Sequence, residues 1–231
     1  MKTVAIILLG GDSTRFNSDV PKQFYPVLGK PLIYYTIKSF ETSPDIDSIV
    51  LVMNAKYQKE LEEVLNTYKF SKILHIVEGG ATRQESALVG LFSLRNILQR
   101  EDYVLIHDGA RPLVDHRIIK ELKDALISHH GATAALPSTD TVTLVETNNL
   151  EIVGTLNRNE VYNIQTPQAF RFGSIFDAHL LYQGKNVSDD TQLLSGITPI
   201  KIVVGNKKLL KITTKEDILF LETYLKDENN D

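Results

Sequence analysis

Short apolar runs separated by amphipathic stretches set the rhythm of this chain. Val4-Ala5-Ile6-Ile7-Leu8-Leu9 is apolar at every position, as a strand covered on both faces must be. The aliphatic and β-branched runs at 49–53, 73–77, 103–106 and 132–136 predict four further strands. Between them, apolar residues recur at helical spacing. Residues 31–40 open on a helix-compatible Pro31, and 57–69 place Tyr57, Leu61, Val64, Leu65 and Tyr68 on one face. Residues 83–99 repeat Leu88, Leu91, Phe92 and Leu98, and 116–128 give Ile118, Ile119, Leu122 and Leu126. Strands and helices alternating in this order predict an α/β chain, with right-handed crossovers and a mostly parallel sheet carrying helices on both faces. Ligands of such sheets sit beyond the carboxyl ends of the strands.

The rhythm breaks at about 137–165. Alternating Val142 and Leu144, a polar Asn148-Asn149 turn, and Ile152, Val153 and Leu156 predict a protruding hairpin. A lone hairpin cannot bury its own apolar face, so this β-arm, at about 137–160, is expected to pack on a second copy of the chain; a surface flap without a partner is the alternative. No repeat, linker or low-complexity tract divides the sequence, which reads as one domain over 1–231. The acidic end, Lys226-Asp227-Glu228-Asn229-Asn230-Asp231, reads as solvent-exposed frayed chain.

Composition narrows the function classes. The 231 residues are 42% hydrophobic and 23% charged, within the globular range, and can bury a full core. A net charge of −4 argues against broad nucleic-acid binding, so any phosphate site must be local. The absence of cysteine removes disulfides, thiolate nucleophiles and thiolate metal sites, and suits a reducing compartment. The apolar run at 4–9 is too short to span a bilayer, and the start lacks the features of a signal peptide; the reading is a cytoplasmic protein without membrane contact.

Candidate chemistry lies where the strands end. The first run leads into Gly10-Gly11-Asp12-Ser13-Thr14-Arg15 and then Pro21-Lys22-Gln23-Phe24. Paired glycines let the backbone turn and approach a bulky anion, and Arg15 and Lys22 supply cations from the same loop. The spacing matches neither a P-loop nor a dinucleotide-binding fingerprint. Glu78-Gly79-Gly80-Ala81-Thr82-Arg83 follows the third strand and His107-Asp108-Gly109-Ala110-Arg111-Pro112 the fourth, so three polar loops are expected to converge on one edge. No serine, histidine and aspartate order accompanies His129-His130, and no metal-ligand spacing is evident beyond Asp108.

Taken together, Gly10-Gly11…Arg15, Pro21-Lys22-Gln23-Phe24, Gly79-Gly80-Ala81-Thr82-Arg83-Gln84-Glu85-Ser86, His107-Asp108-Gly109-Ala110-Arg111-Pro112, Asp140-Thr141, Gln165-Thr166-Pro167-Gln168, Ser188-Asp189-Asp190 and Lys211-Ile212-Thr213 resemble the 2-C-methyl-D-erythritol 4-phosphate cytidylyltransferases of non-mevalonate isoprenoid synthesis. The resemblance implies a Rossmann-like nucleotidyltransferase fold and a dimerising β-arm. It also implies Mg²⁺ or another divalent cation, and transfer of a cytidylyl group from CTP to a polyol phosphate with release of pyrophosphate.

By the same resemblance, Arg15, Lys22, Arg158 and Lys211 are the catalytic cations. Leu9, Gly10, Gly11, Gly80, Ala81, Ser86 and Asp108 bind CTP, with Asp108 also the metal ligand. Gly109, Arg111, Thr141, Arg158, Thr166 and Lys211 bind the acceptor, Thr141 and Arg158 reaching into the partner's site from the arm. Arg111 would brace the Asp108 loop, and Asp189 and Asp190 would order a loop and cap a helix. One departure stands out. Where the family usually reads A-A-G-x-G-x-R, the second loop glycine is Ser13, and Gly10-Gly11 also resembles the ribitol 5-phosphate cytidylyltransferases that feed teichoic acid synthesis. That acceptor is the alternative within the same reaction class. A non-catalytic nucleotide-binding regulator is the alternative outside it, and it would be expected to lack a catalytic cation or the metal carboxylate.

Overall fold

The computed structural model describes residues 1–11, 16, 18–184 and 187–228. Strand β1 (Thr3–Leu8) splits its side chains between two cores, as the period of two requires: Ala5 and Ile7 face one way, Val4 and Ile6 the other. On either side of it run β4 (Ser48–Met53) and β6 (Tyr103–Asp108), both parallel to it, and β5 (Ile73–Glu78) pairs parallel with β4 at the edge. The full order adds β10 (Tyr162–Arg171), β7 (Gly131–Pro137) and β11 (Ile200–Val204), giving a seven-stranded sheet β11-β7-β10-β6-β1-β4-β5.

Helices cover both faces. On the Ala5/Ile7 side lie α1 (Leu32–Glu41), α2 (Gln58–Tyr68) and α4 (His116–Ala125), which bury Ile33, Ile37, Leu61, Ile118 and Leu122 against the sheet. The Val4/Ile6 side carries α3 (Arg83–Ser93), α5 (Phe172–Leu181) and the short α6 (Thr191–Leu194). A third cluster forms where α7 (Glu216–Glu228) packs Ile218, Leu221 and Leu225 against Phe16, Val27 and Leu32. Lys226, Asp227 and Glu228 therefore end a helix instead of fraying, a correction to the sequence reading of the acidic end. A small pair, β2 (Pro26–Val27) and β3 (Lys30–Pro31), leads into α1, with Pro31 as its N-cap instead of its first turn.

The sheet departs from the expected pattern at its centre. Strand β10 runs antiparallel between β6 and β7, where the periodicity predicted only the end of a hairpin. Pro167 explains the miss, because proline ordinarily argues against an interior strand. A bulge accommodates it: the register with β7 jumps from Ile164↔Ala135 to Gln168↔Thr133, and the Thr133 hydroxyl donates to the Gln165 carbonyl at 3.2 Å within the irregular stretch. The arm itself is the antiparallel pair β8 (Thr143–Glu146) and β9 (Glu151–Thr155), shorter than the span assigned to it. Leu144, Leu150, Ile152 and Val153 are all more than half exposed in the single chain.

Helix α3 also differs from its predicted face. It buries Ala87 and Gly90 along with the predicted Leu91, while Leu88 and Phe92 stay partly exposed, and it stops at Ser93. Gly90 is the reason. A Cβ there would lie 2.6 Å from Ile6 Cγ2 and 3.1 Å from Val52 Cγ2, so the helix backbone rides directly on the sheet. Gly90→Ala is therefore expected to lose about 1 kcal/mol or more in urea unfolding, because the overpacking outweighs the roughly 1 kcal/mol of helix propensity that alanine adds. A variant more stable than the parent would show that the helix can lift away.

Candidate active site

The loops that leave β1, β5 and β6 enclose a cleft of about 370 Å³ with Lys22 and Lys211 on its walls. Leu9 extends β1 by one bond, donating its N–H to the Val52 carbonyl at 2.7 Å, and Gly10 and Gly11 follow at the mouth. Among the described residues a Cβ at Gly10 would meet nothing closer than 3.9 Å and one at Gly11 nothing within 4 Å. Gly109 is different. Its missing Cβ would stand 2.2 Å from Leu9 Cδ2, so glycine there lets the end of β6 close against the end of β1. Arg15 and Ser13 lie outside the described residues.

Asp108, the last residue of β6, is the electrostatic centre. Its Oδ1 accepts from Arg83 Nε at 3.0 Å and its Oδ2 from Lys211 Nζ at 2.8 Å, with Arg111 Nε at 4.0 Å from Oδ2. Burial alone would raise its pKa, but the charges and hydrogen bonds of Arg83 and Lys211 prevail and hold the carboxylate well below the usual range. Lys211 is brought here by a stitch between distant segments, the Ile212 N–H donating to the Ala110 carbonyl at 2.8 Å. The same Ile212 accepts from Lys22 Nζ through its carbonyl at 2.7 Å, so both lysines are placed by one short stretch of backbone.

Beneath Asp108 a buried relay fixes the strand end. His107 Nε2 faces the Arg111 carbonyl at 2.9 Å, which can only accept, so Nε2 carries the proton. Nδ1 then accepts from the Thr166 hydroxyl at 3.0 Å, and the same hydroxyl oxygen accepts the Asp108 backbone N–H at 3.0 Å. Burial in front of Phe40 keeps the imidazole neutral, its pKa lowered to about 4. Thr166 thus lies under the cleft with its hydroxyl engaged inside the protein. Arg111 is also mostly buried, donating from Nη1 to the Leu209 carbonyl at 2.6 Å, and desolvation lowers its pKa against the pull of Asp108.

The opposite wall comes from the turn into α3. Thr82 caps that helix, accepting from the Glu85 N–H at 3.1 Å, and Glu85 Oε2 accepts from the Ala81 N–H at 2.7 Å. The Ser86 hydroxyl lies 3.4 Å from the Gly80 carbonyl, and Gly80, Ala81 and Ser86 all line the cleft.

One cleft accordingly brings together Leu9, Gly10, Gly11, Lys22, Gly80, Ala81, Ser86, Asp108, Gly109 and Lys211. Thr141 and Arg158 are exposed, on the arm and at its base, and line no part of it in the same chain. Asp190 departs from the expected helix-capping role: its side chain makes no cap on α6 but is wholly buried against Arg83, while Asp189 Oδ1 accepts from the Thr191 N–H at 2.9 Å. Arg83, to which the sequence reading gave no role, is the residue that joins Asp108 to this interior. Its place beside the Gly80 segment was the only sequence signal. Among the described residues no group of three or more histidines and carboxylates forms a metal cluster, and no helix is long and apolar enough to cross a membrane.

Against this geometry the likenesses are consistent. The family model described as 2-C-methyl-D-erythritol 4-phosphate cytidylyltransferase matches residues 3–227. A protein of that name from Lachnoclostridium phytofermentans is 38% identical over 99% of this chain and 98% of its own length, and one from Clostridium novyi is 38% identical over 98% and 97%. The crystal structure of 4-diphosphocytidyl-2C-methyl-D-erythritol synthase from Anaerococcus prevotii superimposes with a TM-score of 0.81 at 31% identity, covering 97% of this chain and 96% of that one. The Francisella tularensis 2-C-methyl-D-erythritol 4-phosphate cytidylyltransferase gives 0.79 at 30% identity, over 96% and 99%.

The neutral His107 makes a pH dependence measurable. Its pKa rises from about 4 in the folded protein to the ordinary 6.5 when unfolded, so protons favour the unfolded chain and stability falls as pH drops from 6.5 to 4. The effect is about 3 kcal/mol at 1.36 kcal/mol per unit. In urea titrations at pH 7 and pH 4, His107→Gln is expected to lose about that much less stability than the parent. Equal losses would show that His107 is charged when folded.

Proposed function

The chain belongs to the 2-C-methyl-D-erythritol 4-phosphate cytidylyltransferase family, and we propose that the cleft at the ends of β1 and β6 is where this nucleotidyltransferase joins CTP to its acceptor. An oxygen of the acceptor phosphate attacks the α-phosphorus of CTP, the bond from that phosphorus to the bridging oxygen of the β-phosphate breaks, and pyrophosphate leaves. The product is 4-diphosphocytidyl-2-C-methyl-D-erythritol. The observation that carries this reading is the convergence of Lys22 and Lys211 with the ionised Asp108 in one cleft, on a chain that matches the family almost end to end.

Two anionic groups must meet in that reaction, and charge gathers on the non-bridging oxygens in the transition state. Lys22 faces the triphosphate, and the family resemblance assigns Arg15 to the same phosphates. The open space at Gly10 and Gly11 suits a close approach of phosphate to backbone. Gly80, Ala81 and Ser86 form the wall that meets cytosine. The Ala81 N–H is held by Glu85, which leaves carbonyl groups and the Ser86 hydroxyl to read the base edge.

A divalent cation is part of the proposal. Asp108 offers a hard, fully ionised oxygen donor at the cleft floor, and with no second carboxylate cluster among the described residues the remaining oxygens would come from phosphate and water, as Mg²⁺ prefers. When bound, it would supply charge neutralisation at the α-phosphate. Lys211 and Gly109 border the acceptor position; Arg111 and Thr166 support the Asp108 loop from below.

Thr141 and Arg158 belong to the site only if a second chain lends its arm. The exposed apolar residues of β8 and β9 support that homodimer. Both substrates are charged phosphate esters of the cell interior, which supports a cytoplasmic location in the same proposal, with neither nucleic acid nor membrane as a partner.

The function is tested by supplying CTP and Mg²⁺ with either 2-C-methyl-D-erythritol 4-phosphate or ribitol 5-phosphate and following pyrophosphate release. Release with the first acceptor is expected. Release with ribitol 5-phosphate alone would overturn the acceptor assignment.

The shared site predicts complementation. Lys22→Ala and Arg158→Ala should each lose about a hundredfold or more in turnover, as loss of a transition-state cation does, yet their mixture should regain activity because one site of each heterodimer keeps both residues. Native mass spectrometry reports the exchange. Heterodimers without recovered activity would place Arg158 in the site of its own chain.

A further inference from the structure

Arg83 opens α3 with its guanidinium between two carboxylates. On the cleft side Nε donates to Asp108 Oδ1 at 3.0 Å; on the inner side Nη1 donates to Asp190 Oδ2 at 2.7 Å. Asp190 has no exposed surface, and its other oxygen lies 2.9 Å from Nε2 of His179, which is equally buried. The Asp190 backbone N–H donates to Gln168 Oε1 at 3.0 Å, and Gln168 in β10 is the register partner of Ile106, two residues before Asp108 in β6. The interior carboxylate is therefore anchored to the same strand pair that presents the cleft carboxylate.

A guanidinium that meets a single carboxylate prefers a two-bond fork. Here Nη1 is drawn inward by Asp190, and Arg83 gives Asp108 one bond only, leaving Oδ2 for Lys211. The arrangement also leaves Arg83 Nη2 buried with no hydrogen-bond partner among the described residues. We propose that Asp190 is a positioning residue for the reaction: through Arg83 it limits the contact that Asp108 receives and leaves the second oxygen of Asp108 to Lys211 and the cleft. Without the Asp190 charge, Arg83 turns to a fork on Asp108 and competes with Lys211 and with any cation there. The inference rests on the reading of Asp108 as the carboxylate that meets the metal and CTP.

The test is a mutant cycle of Arg83→Gln, Asp190→Asn and the double variant, compared with the parent for kcat, KM for CTP and the Mg²⁺ concentration giving half-maximal rate. Calorimetry adds CTP affinity with and without Mg²⁺. Asp190→Asn is expected to fold, to lose at least about tenfold in kcat, to need at least about threefold more Mg²⁺, and to lose much of the tightening that Mg²⁺ gives to CTP. The double variant should match Arg83→Gln in all of these, because residues acting as one unit are not additive. A folded Asp190→Asn protein that keeps kcat and Mg²⁺ requirement within twofold of an active parent overturns the inference, as does a double variant whose loss is the product of the two single losses. If Asp190→Asn does not fold, the double against Arg83→Gln decides in the same way, and a double that does not fold either makes the pair purely structural and overturns it too. A parent that releases no pyrophosphate overturns the functional reading and this inference with it.

Discussion

An ionised carboxylate at the end of β6, with little access to water, is tolerable only because cations from three separated parts of the chain surround it. Arg83 comes from the start of α3, Arg111 from the loop after the strand, and Lys211 from a segment about a hundred residues further on. Arg83 and Arg111 are themselves largely withdrawn from water while Lys211 stays exposed, so the buried part of the group is stable as a set and poorly so in parts. Most of the architecture around the cleft follows from this. The closure at Gly109, the stitch from Ile212 to Ala110 and the neutral His107 relay all hold the Asp108 backbone where these charges can reach its side chain.

Much of this was legible in the sequence because it is local. The unbroken apolar run at 4–9 is β1, and the glycine and cation motifs that follow strands do line one cleft. What escaped is long-range or contrary to local preference. Strand β10 carries Pro167 and hides as a loop until its bulge is seen. The buried face of α3 turns on Gly90, whose contribution is an absent side chain. The pairing of Arg83 with Asp190 spans 107 positions, and no spacing rule predicts it; both residues stood inside recognised motifs with another role or none. Thr166 and Arg111 were expected at the acceptor; both are mostly buried, the Thr166 hydroxyl engaged by His107 and the Asp108 backbone and the Arg111 guanidinium by the Leu209 carbonyl, contacts over 58 and 98 positions that a motif does not report.

The apolar arm shows the same division between what a chain encodes alone and what it encodes for a neighbour. Its alternation is a strand signal, and the hairpin forms, but the hydrophobic surface it creates stays exposed among the described residues. A two-stranded ribbon of this kind is marginal by itself. The arm leaves the sheet at β7 and returns as β10, which hydrogen-bonds to β6, so whatever grips it is connected through one strand to Asp108.

The stitch at Ile212 has a further consequence for how the chain is made. Synthesis delivers the Gly10 loop and Lys22 first and the backbone that anchors Lys22 only after some 190 further residues, since Nζ bonds the Ile212 carbonyl. A nascent chain on the ribosome can pair β1 with β4 and later with β6, yet it holds Asp108 without Lys211 and Lys22 without its rest until residues 211 and 212 emerge. Such widely separated contacts close slowly. The charge arrangement around Asp108 is thus completed only once residues 211 and 212 have emerged, and chains released before that point lack it.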